Sequence, residues 1–475
     1  MKENRNIYLM KNTAIFAIGS VSTKLISFLL VPLYTNALST VQYGVADLIT
    51  TICTVLAPMI ILNLGEGVMR FALDDGADYT KIMSVGLAAF GFALIVGTSV
   101  IPIVGAFGQL ARYSLQVYFY TITLAGSQLF LCYLRGKEKL VDYALGNIIQ
   151  TALIAVLNIV FLLVMDSGLT GYFSAYIIAS LAVMLFAFWR GNVWEVMRNL
   201  SIDWRLARQM IVFSVVLIPN SFMWWIINSS DRILVSALLG ASANGIYAVS
   251  CKIPQAVSVI ANIFNQAWSY SAIHENGSKD RDQYANKVYR ALVAVSIISG
   301  IFLIMVMKPL MSVFVEASYF EAWRYTPFLV IGNVFMTTGT YLSSWYSVNK
   351  DSKGFLFSAT CGAIVNVALN LLLIPTLGIM GSAFATCAAM VAVFMYRVKD
   401  TKKYISIHVM CRKEAMAYFL LILSAGTMLI DSVLGEMLML AEFIASLLLL
   451  KDTWLPLATR LIGLLRKGIS NRVHQ

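Results

Sequence analysis

The chain has 475 residues, of which 59% are hydrophobic and only 12% charged, and its mean hydropathy is +0.77. Soluble domains carry roughly 25% charged and 45–50% apolar residues. A soluble globular domain, a disordered chain and a disulfide scaffold are therefore excluded, and an all-α polytopic membrane protein is implied. The net charge of +11 would raise nucleic-acid binding in a soluble protein; here its placement along the chain matters more than its total, and no nucleic-acid partner is inferred.

Apolar runs of about 20 residues predict about fourteen membrane spans. They lie near 13–37, 46–64, 82–106, 113–134, 143–165, 169–189, 209–239, 245–271, 288–307, 322–346, 355–374, 378–396, 415–431 and 433–450. Met1–Lys11 is basic, and the run after it is too long for a signal-peptide core, so the first span is read as retained.

Taken in chain order, span 1 carries Ser20, Thr23, Lys24 and Ser27, and span 2 carries Asp47, Thr50, Thr51, Thr54 and Pro58. Where span 2 ends, Glu66 and Arg70 stand four apart, as a local ion pair or as a gate contact at the cytoplasmic mouth. Span 7 carries Ser221, Trp225, Asn228, Asp231 and Arg232. The last two neutralise each other, or sit at the outer surface if the span ends near Ile227; the short remainder Ile233–Leu239 favours a long or tilted span. Span 8 carries Lys252, Gln255, Ser258, Asn262, Asn265, Gln266 and Ser269 at steps of mostly three and four, which makes one helix face polar nearly end to end.

Intramembrane polar groups are costly and usually face a cavity or a partner. A polar lumen lined by spans 1, 2, 7 and 8 is the simplest account. Single Ser and Thr hydroxyls have the blander option of bonding their own helix backbone. Lys24 lies about eleven residues into span 1, deeper than easy snorkelling reaches, and is expected in the lumen. Pro32, Pro58, Pro219 and Pro254 mark the same four helices as bendable.

Lysine and arginine in the loops set orientation. With the N-terminus inside, 29 of the 35 fall in cytoplasmic segments, three (Arg112, Lys308, Arg324) in outer loops, and three (Lys24, Arg232, Lys252) within spans. Both termini are therefore expected in the cytoplasm. The basic runs Arg397–Lys403 and Arg466–Arg472 are read as topology signals near anionic headgroups. The outer loops are short, which speaks against a polymerase or transferase working through a large external loop. The six cysteines lack CxxC spacing and read as buried free thiols, and His274, His408 and His474 assemble no intramembrane metal site. No cofactor is implied.

The chain also repeats itself. Gly168-Leu-Thr-Gly171 opens span 6 and Gly378-Ile-Met-Gly381 opens span 12, at an offset of 210. Ala37-Leu38 with Gly44 joins spans 1 and 2, and Ala237-Leu238 with Gly245 joins spans 7 and 8, at offsets of 200 and 201. Both matches pair span n with span n+6, which predicts two parallel six-helix repeats plus two C-terminal helices. The expected domains are 1–200, 201–400 and 401–475, with a central cleft between the two bundles as in an alternating-access transporter.

Lys11-Asn12-Thr13, Leu25–Asn36 (LISFLLVPLYTN), Tyr43-Gly44, Asp231-Arg232-Ile233, Gly240 and Gly245-Ile246-Tyr247 resemble the Wzx-type polysaccharide flippases. These belong to the polysaccharide-transport branch of the multidrug/oligosaccharidyl-lipid/polysaccharide exporter superfamily. The resemblance covers the whole chain and implies a MATE-like fold. It implies a bacterial cytoplasmic-membrane protein, not an enzyme. Such a protein would flip an undecaprenyl-pyrophosphate-linked oligosaccharide to the outer leaflet for capsule, exopolysaccharide or O-antigen assembly, alongside a polymerase and chain-length proteins. It implies that Lys24, Arg232 and Lys252, with Asn262 and Gln266 on the same lumen, receive the anionic substrate, and that Asp47 and Asp231 pair with these charges or couple an ion. A lipid II flippase, a cation-coupled drug exporter and a membrane polymerase are the alternatives.

Overall fold

Polar caps cut the apolar runs into helices. Ser39 forms a capping box with Gln42 at the start of helix Thr40–Ile60. Asp78, Asp203, Asp351 and Ser432 each accept first-turn amides where spans 3, 7, 11 and 14 begin. The computed structural model describes residues 23–74, 76–106, 108–274, 280–349, 351–456 and 459. Ser20, the Lys11-Asn12-Thr13 motif and the Arg466–Arg472 run lie outside the described residues.

Among the described residues every regular element is helical. Nine helices are long and apolar enough to cross a membrane, and they fall on predicted spans 2 to 7, 9, 11 and 12. The other predicted spans are helical too: Val31–Ala37, Ala241–His274, Thr326–Val348, Arg412–Thr427 and Val433–Leu449. Span 7 is one unbroken helix, Trp204–Leu239, so Asp231 and Arg232 lie within it rather than in a loop.

The repeat is visible in packing. Gly168 and Gly378 both take positive φ (50° and 62°) at the entry to spans 6 and 12. Three residues on, a Cβ on Gly171 would meet Ser167 at 2.8 Å and one on Gly381 would meet the Leu373 carbonyl oxygen at 2.3 Å. Span 4 (Ser114–Gly136) and span 10 (Thr326–Val348), equivalent under the repeat, are each buried along most of their length. Span 4 packs on span 6 and span 10 packs on span 12.

By contacts the chain divides into two compact units, Met1–Lys252 and Ile253–Gln475. Span 7 belongs to the first, packed on Thr40–Ile60 and on the short helix Leu64–Ala72. All six cysteines are free thiols.

Candidate functional site

Spans 7 and 8 form a helical hairpin around Gly240, whose φ of 92° suits only glycine comfortably. In an antiparallel hairpin, residues equally spaced from the turn face each other. Asp231, nine residues before Gly240, and Tyr247, seven after it, come close to that placement, and the Tyr247 hydroxyl donates to Asp231 Oδ2 at 2.5 Å. Asp231 Oδ1 accepts the Arg232 backbone N–H at 2.9 Å.

Span 2 is pressed onto span 8 by two glycines. A Cβ on Gly44 would lie 1.8 Å from the Ala241 carbonyl oxygen, and one on Gly245 would lie 2.1 Å from that of Thr40. Asn244 Nδ2 donates to the Gly44 carbonyl at 2.8 Å, and the Thr40 and Ser242 hydroxyls are 2.8 Å apart. The contact is nearly symmetric, and it joins the two segments that the repeat matches.

Three residues beyond Gly44, Asp47 is thereby turned onto two cations. Arg232 Nη1 donates to Asp47 Oδ1 at 3.2 Å and to Thr51 Oγ1 at 3.3 Å, and Lys252 Nζ lies 3.9 Å from the same carboxylate oxygen. The side chain of Asp47 is 3% exposed, that of Arg232 11% and that of Lys252 27%. Asp47 Oδ2 and Arg232 Nε have no hydrogen-bond partner among the described residues. Lys24 is exposed and near enough for its charge to oppose that of Lys252. Desolvating such charges costs several kcal/mol each, which pairing only partly offsets. A cluster with spare hydrogen-bonding capacity and surplus positive charge around Asp47 is suited to admit an anion.

The structure thus brings together Asp47, Asp231, Arg232 and Lys252, with Lys24 nearby. Asn262 and Gln266 sit on the span 8 helix, but their side chains lie outside the described residues. Glu66 and Arg70 do not form a local ion pair with each other among the described residues. The chain breaks after Ile60 through Leu62 and Asn63, both at positive φ, and restarts as Leu64–Ala72; Arg70 then pairs forward with Asp74 at 2.5 Å instead of back to Glu66. Arg397 also departs from expectation, because it is 0% exposed and does not reach headgroups.

Ser27, Thr50, Thr54 and Ser258 donate to carbonyls three or four residues back in their own helices, as single hydroxyls readily do. Sequence reasoning missed the roles of Thr51 and Tyr247. Thr51 stands one turn after Asp47 on the same helix, which carried a signal in its spacing; the unequal distances of Asp231 and Tyr247 from Gly240 gave none for Tyr247.

A multi-pass helical bundle with a buried cation–carboxylate cluster has the build of a membrane transporter rather than of an enzyme. The chain is similar to the lipid II flippase MurJ in an inward closed conformation, at 13% identity and a TM-score of 0.66, over 95% of this chain and 100% of that one. It is similar to an inward-facing multidrug resistance MATE family transporter of the MOP superfamily, at 14% identity and a TM-score of 0.60, over 81% and 95% of the two chains. It is also similar to a MOP superfamily transporter from Pyrococcus furiosus, at 14% identity and a TM-score of 0.55, over 83% and 96%. At these identities the likeness establishes the fold. No curated protein matches the sequence. The family described as polysaccharide biosynthesis protein matches residues 9–270, more than half of the chain, and the chain belongs to it.

Proposed function

We propose that this protein is a flippase. It moves undecaprenyl-pyrophosphate-linked oligosaccharide units from the inner to the outer leaflet of a bacterial cytoplasmic membrane by alternating access. The units then enter capsule, exopolysaccharide or O-antigen through a polymerase and chain-length proteins. Both termini lie in the cytoplasm.

The observation that carries this reading is the placement of Arg232 and Lys252 around Asp47 inside membrane-spanning helices. The pyrophosphate displaces the Asp47 carboxylate from these cations, with Lys24 adding charge from span 1. Asp231, held by Tyr247, keeps the hairpin register while the other carboxylate is exchanged. The membrane potential, negative inside, favours outward movement of an anion by about 2.3 kcal/mol per charge per 100 mV. Membership of a polysaccharide biosynthesis family supports a glycan cargo over an organic cation.

A deletion strain complemented with wild type, Lys24→Ala, Arg232→Ala and Lys252→Ala tests this, read as surface polymer and as the sidedness of lipid-linked intermediates. Lost polymer with intermediates trapped inside is expected, in the deletion and in point variants present at normal membrane levels. Because Arg232→Ala leaves Asp47 short of a partner, Arg232→Lys serves as the fold control. Normal polymer in a deletion strain lacking any second flippase overturns the proposal.

A further inference from the structure

The second unit has a cavity of about 950 Å³ where spans 9 and 13 begin and span 14 ends. The loop charges place this end of the helices on the cytoplasmic side. The cavity is built, not merely open. Lys413 bridges to Asp452 at 2.7 Å along one side. Asn286 ties down the segment after span 12 on the other: Nδ2 donates to the Ser406 carbonyl at 2.8 Å, and Oδ1 accepts the His408 amide at 2.8 Å.

What remains is a mixed set of charges. Lys287 and Arg290 stand three apart on span 9, exposed, and neither makes an ion pair among the described residues. Glu414 faces them from span 13. It is 3% exposed, one of its oxygens accepts the Cys411 amide, and the other has no hydrogen-bond partner among the described residues. Arg290 is within electrostatic reach of it.

Three cations (Lys287, Arg290, Lys413) and three carboxylates (Asp282, Glu414, Asp452) line the cavity. A balanced lining favours a ligand with both signs of charge. Ala291, Leu449, Leu450 and Pro456 form the apolar part of the wall, as a headgroup leading into acyl chains requires.

We propose that this cavity binds the phosphoethanolamine headgroup of a bilayer phospholipid, with its phosphate between Lys287 and Arg290 and its ammonium donating to Glu414. Phosphatidylglycerol has no cation for Glu414 and would set its phosphate against that carboxylate. Phosphatidylcholine has a cation but no N–H to donate. The ligand contacts span 9 and the two helices that lie outside the repeat; it acts as a resident lipid and not as cargo, and the assignment holds whatever the flippase carries.

The test is lipid retention by the full-length protein. Purified protein is stripped with detergent, incubated with dioleoyl phosphatidylethanolamine, phosphatidylglycerol or phosphatidylcholine, and weighed by native mass spectrometry. Wild type is expected to retain the ethanolamine lipid at least tenfold better than the glycerol lipid. Lys287→Ala with Arg290→Ala removes that retention. Glu414→Gln brings the preference toward unity while still holding a phosphate-bearing lipid. If the double variant melts early, Lys287→Gln and Arg290→Gln are compared singly, since both side chains are exposed. Equal retention of the two lipids by wild type overturns the proposal, as does a variant that retains lipid like wild type. Displacement of the lipid by equimolar free phosphoethanolamine overturns the assignment to a membrane lipid.

Discussion

Each unit buries an arginine, and the two are held in opposite ways. Arg232 in the first unit faces a carboxylate, shares it with Lys252 and keeps its side chain 11% exposed. Arg397 in the second is fully enclosed. Its Nε donates to Ser358 Oγ at 3.2 Å, its Nη1 to the Gly339 carbonyl at 3.0 Å, and its guanidinium lies 5.5 Å from the Phe355 ring centre. A charge caged by a hydroxyl, a carbonyl and a ring holds helices together. A charge held by an exchangeable carboxylate, with part of its surface open, can change partners. The residue type is the same, and what surrounds it decides between scaffold and site.

The backbone beneath each arginine gives the largest test of that contrast. Gly44→Ala forces a Cβ onto a carbonyl that cannot move without parting spans 2 and 8. It is expected to abolish the folded protein or cost more than about 3 kcal/mol, at the upper end of overpacking penalties. Gly339→Ala, whose Cβ would meet Phe394 only at 3.4 Å, should cost less than about 1 kcal/mol. Yield and melting temperature of the two purified variants decide it. A well-folded Gly44→Ala protein would mean the seam is looser than described.

Next in size is the counter-charge. Asp47→Asn leaves Arg232 and Lys252 facing a neutral group and should destabilise by about 3–5 kcal/mol, the cost of breaking a buried pair. Adding Arg232→Gln should restore a large part of the loss in a double-mutant cycle. Additivity of the two changes would show that the pair is not energetically coupled.

Replacing each arginine by lysine sharpens the comparison further. An ammonium cannot span both Ser358 and Gly339, so Arg397→Lys should cost about 2 kcal/mol through lost hydrogen bonds. Arg232→Lys keeps a charge opposite Asp47 and should cost less. Equal losses in chemical or thermal denaturation would erase the distinction drawn between cage and site.

The smallest effect lies outside the spans. Asp351, capping span 11, accepts the Gly354 amide and hydrogen bonds from Tyr404 and Lys403, and these donors hold its carboxyl down at about 2. Its unfolded value is about 3.9. The folded state therefore binds fewer protons between these limits. The clasp stabilises above pH of about 4 and is lost as pH falls toward 2. Asp351→Asn should therefore lower stability slightly near neutrality, leave it unchanged as pH approaches about 2, and so flatten the acid limb of a stability-against-pH curve.

Much of the fold was legible because its signal is local. Hydrophobic runs of membrane length mark helices wherever they occur, and the Gly168 and Gly378 pair announced the repeat because two left-handed entries need the same residue at the same place. The Arg70 pairing was not legible: the sequence offers Glu66 and Asp74 at equal spacing, and only the folded structure shows Arg70 turned to Asp74, just past the end of the helix Leu64–Ala72. Arg397 was misread for a related reason. A basic residue at the head of the run Arg397–Lys403 looks like a loop charge, and burial depends on Ser358 and Gly339, far away in the chain.

By itself, then, the sequence determined an all-α membrane protein of repeated spans and the presence of Lys24, Asp47, Asp231, Arg232 and Lys252 within them. Periodicity and the cost of intramembrane charge act residue by residue and need no partner to be read. Which charges meet was decided only in three dimensions. The Gly44–Gly245 contact sets how closely span 2 approaches span 8, and the turn at Gly240 sets which residues of spans 7 and 8 face each other. Moving either helix by one residue would rotate Asp47 or Arg232 by about 100° and dissolve the cluster, although every residue in it would still be present.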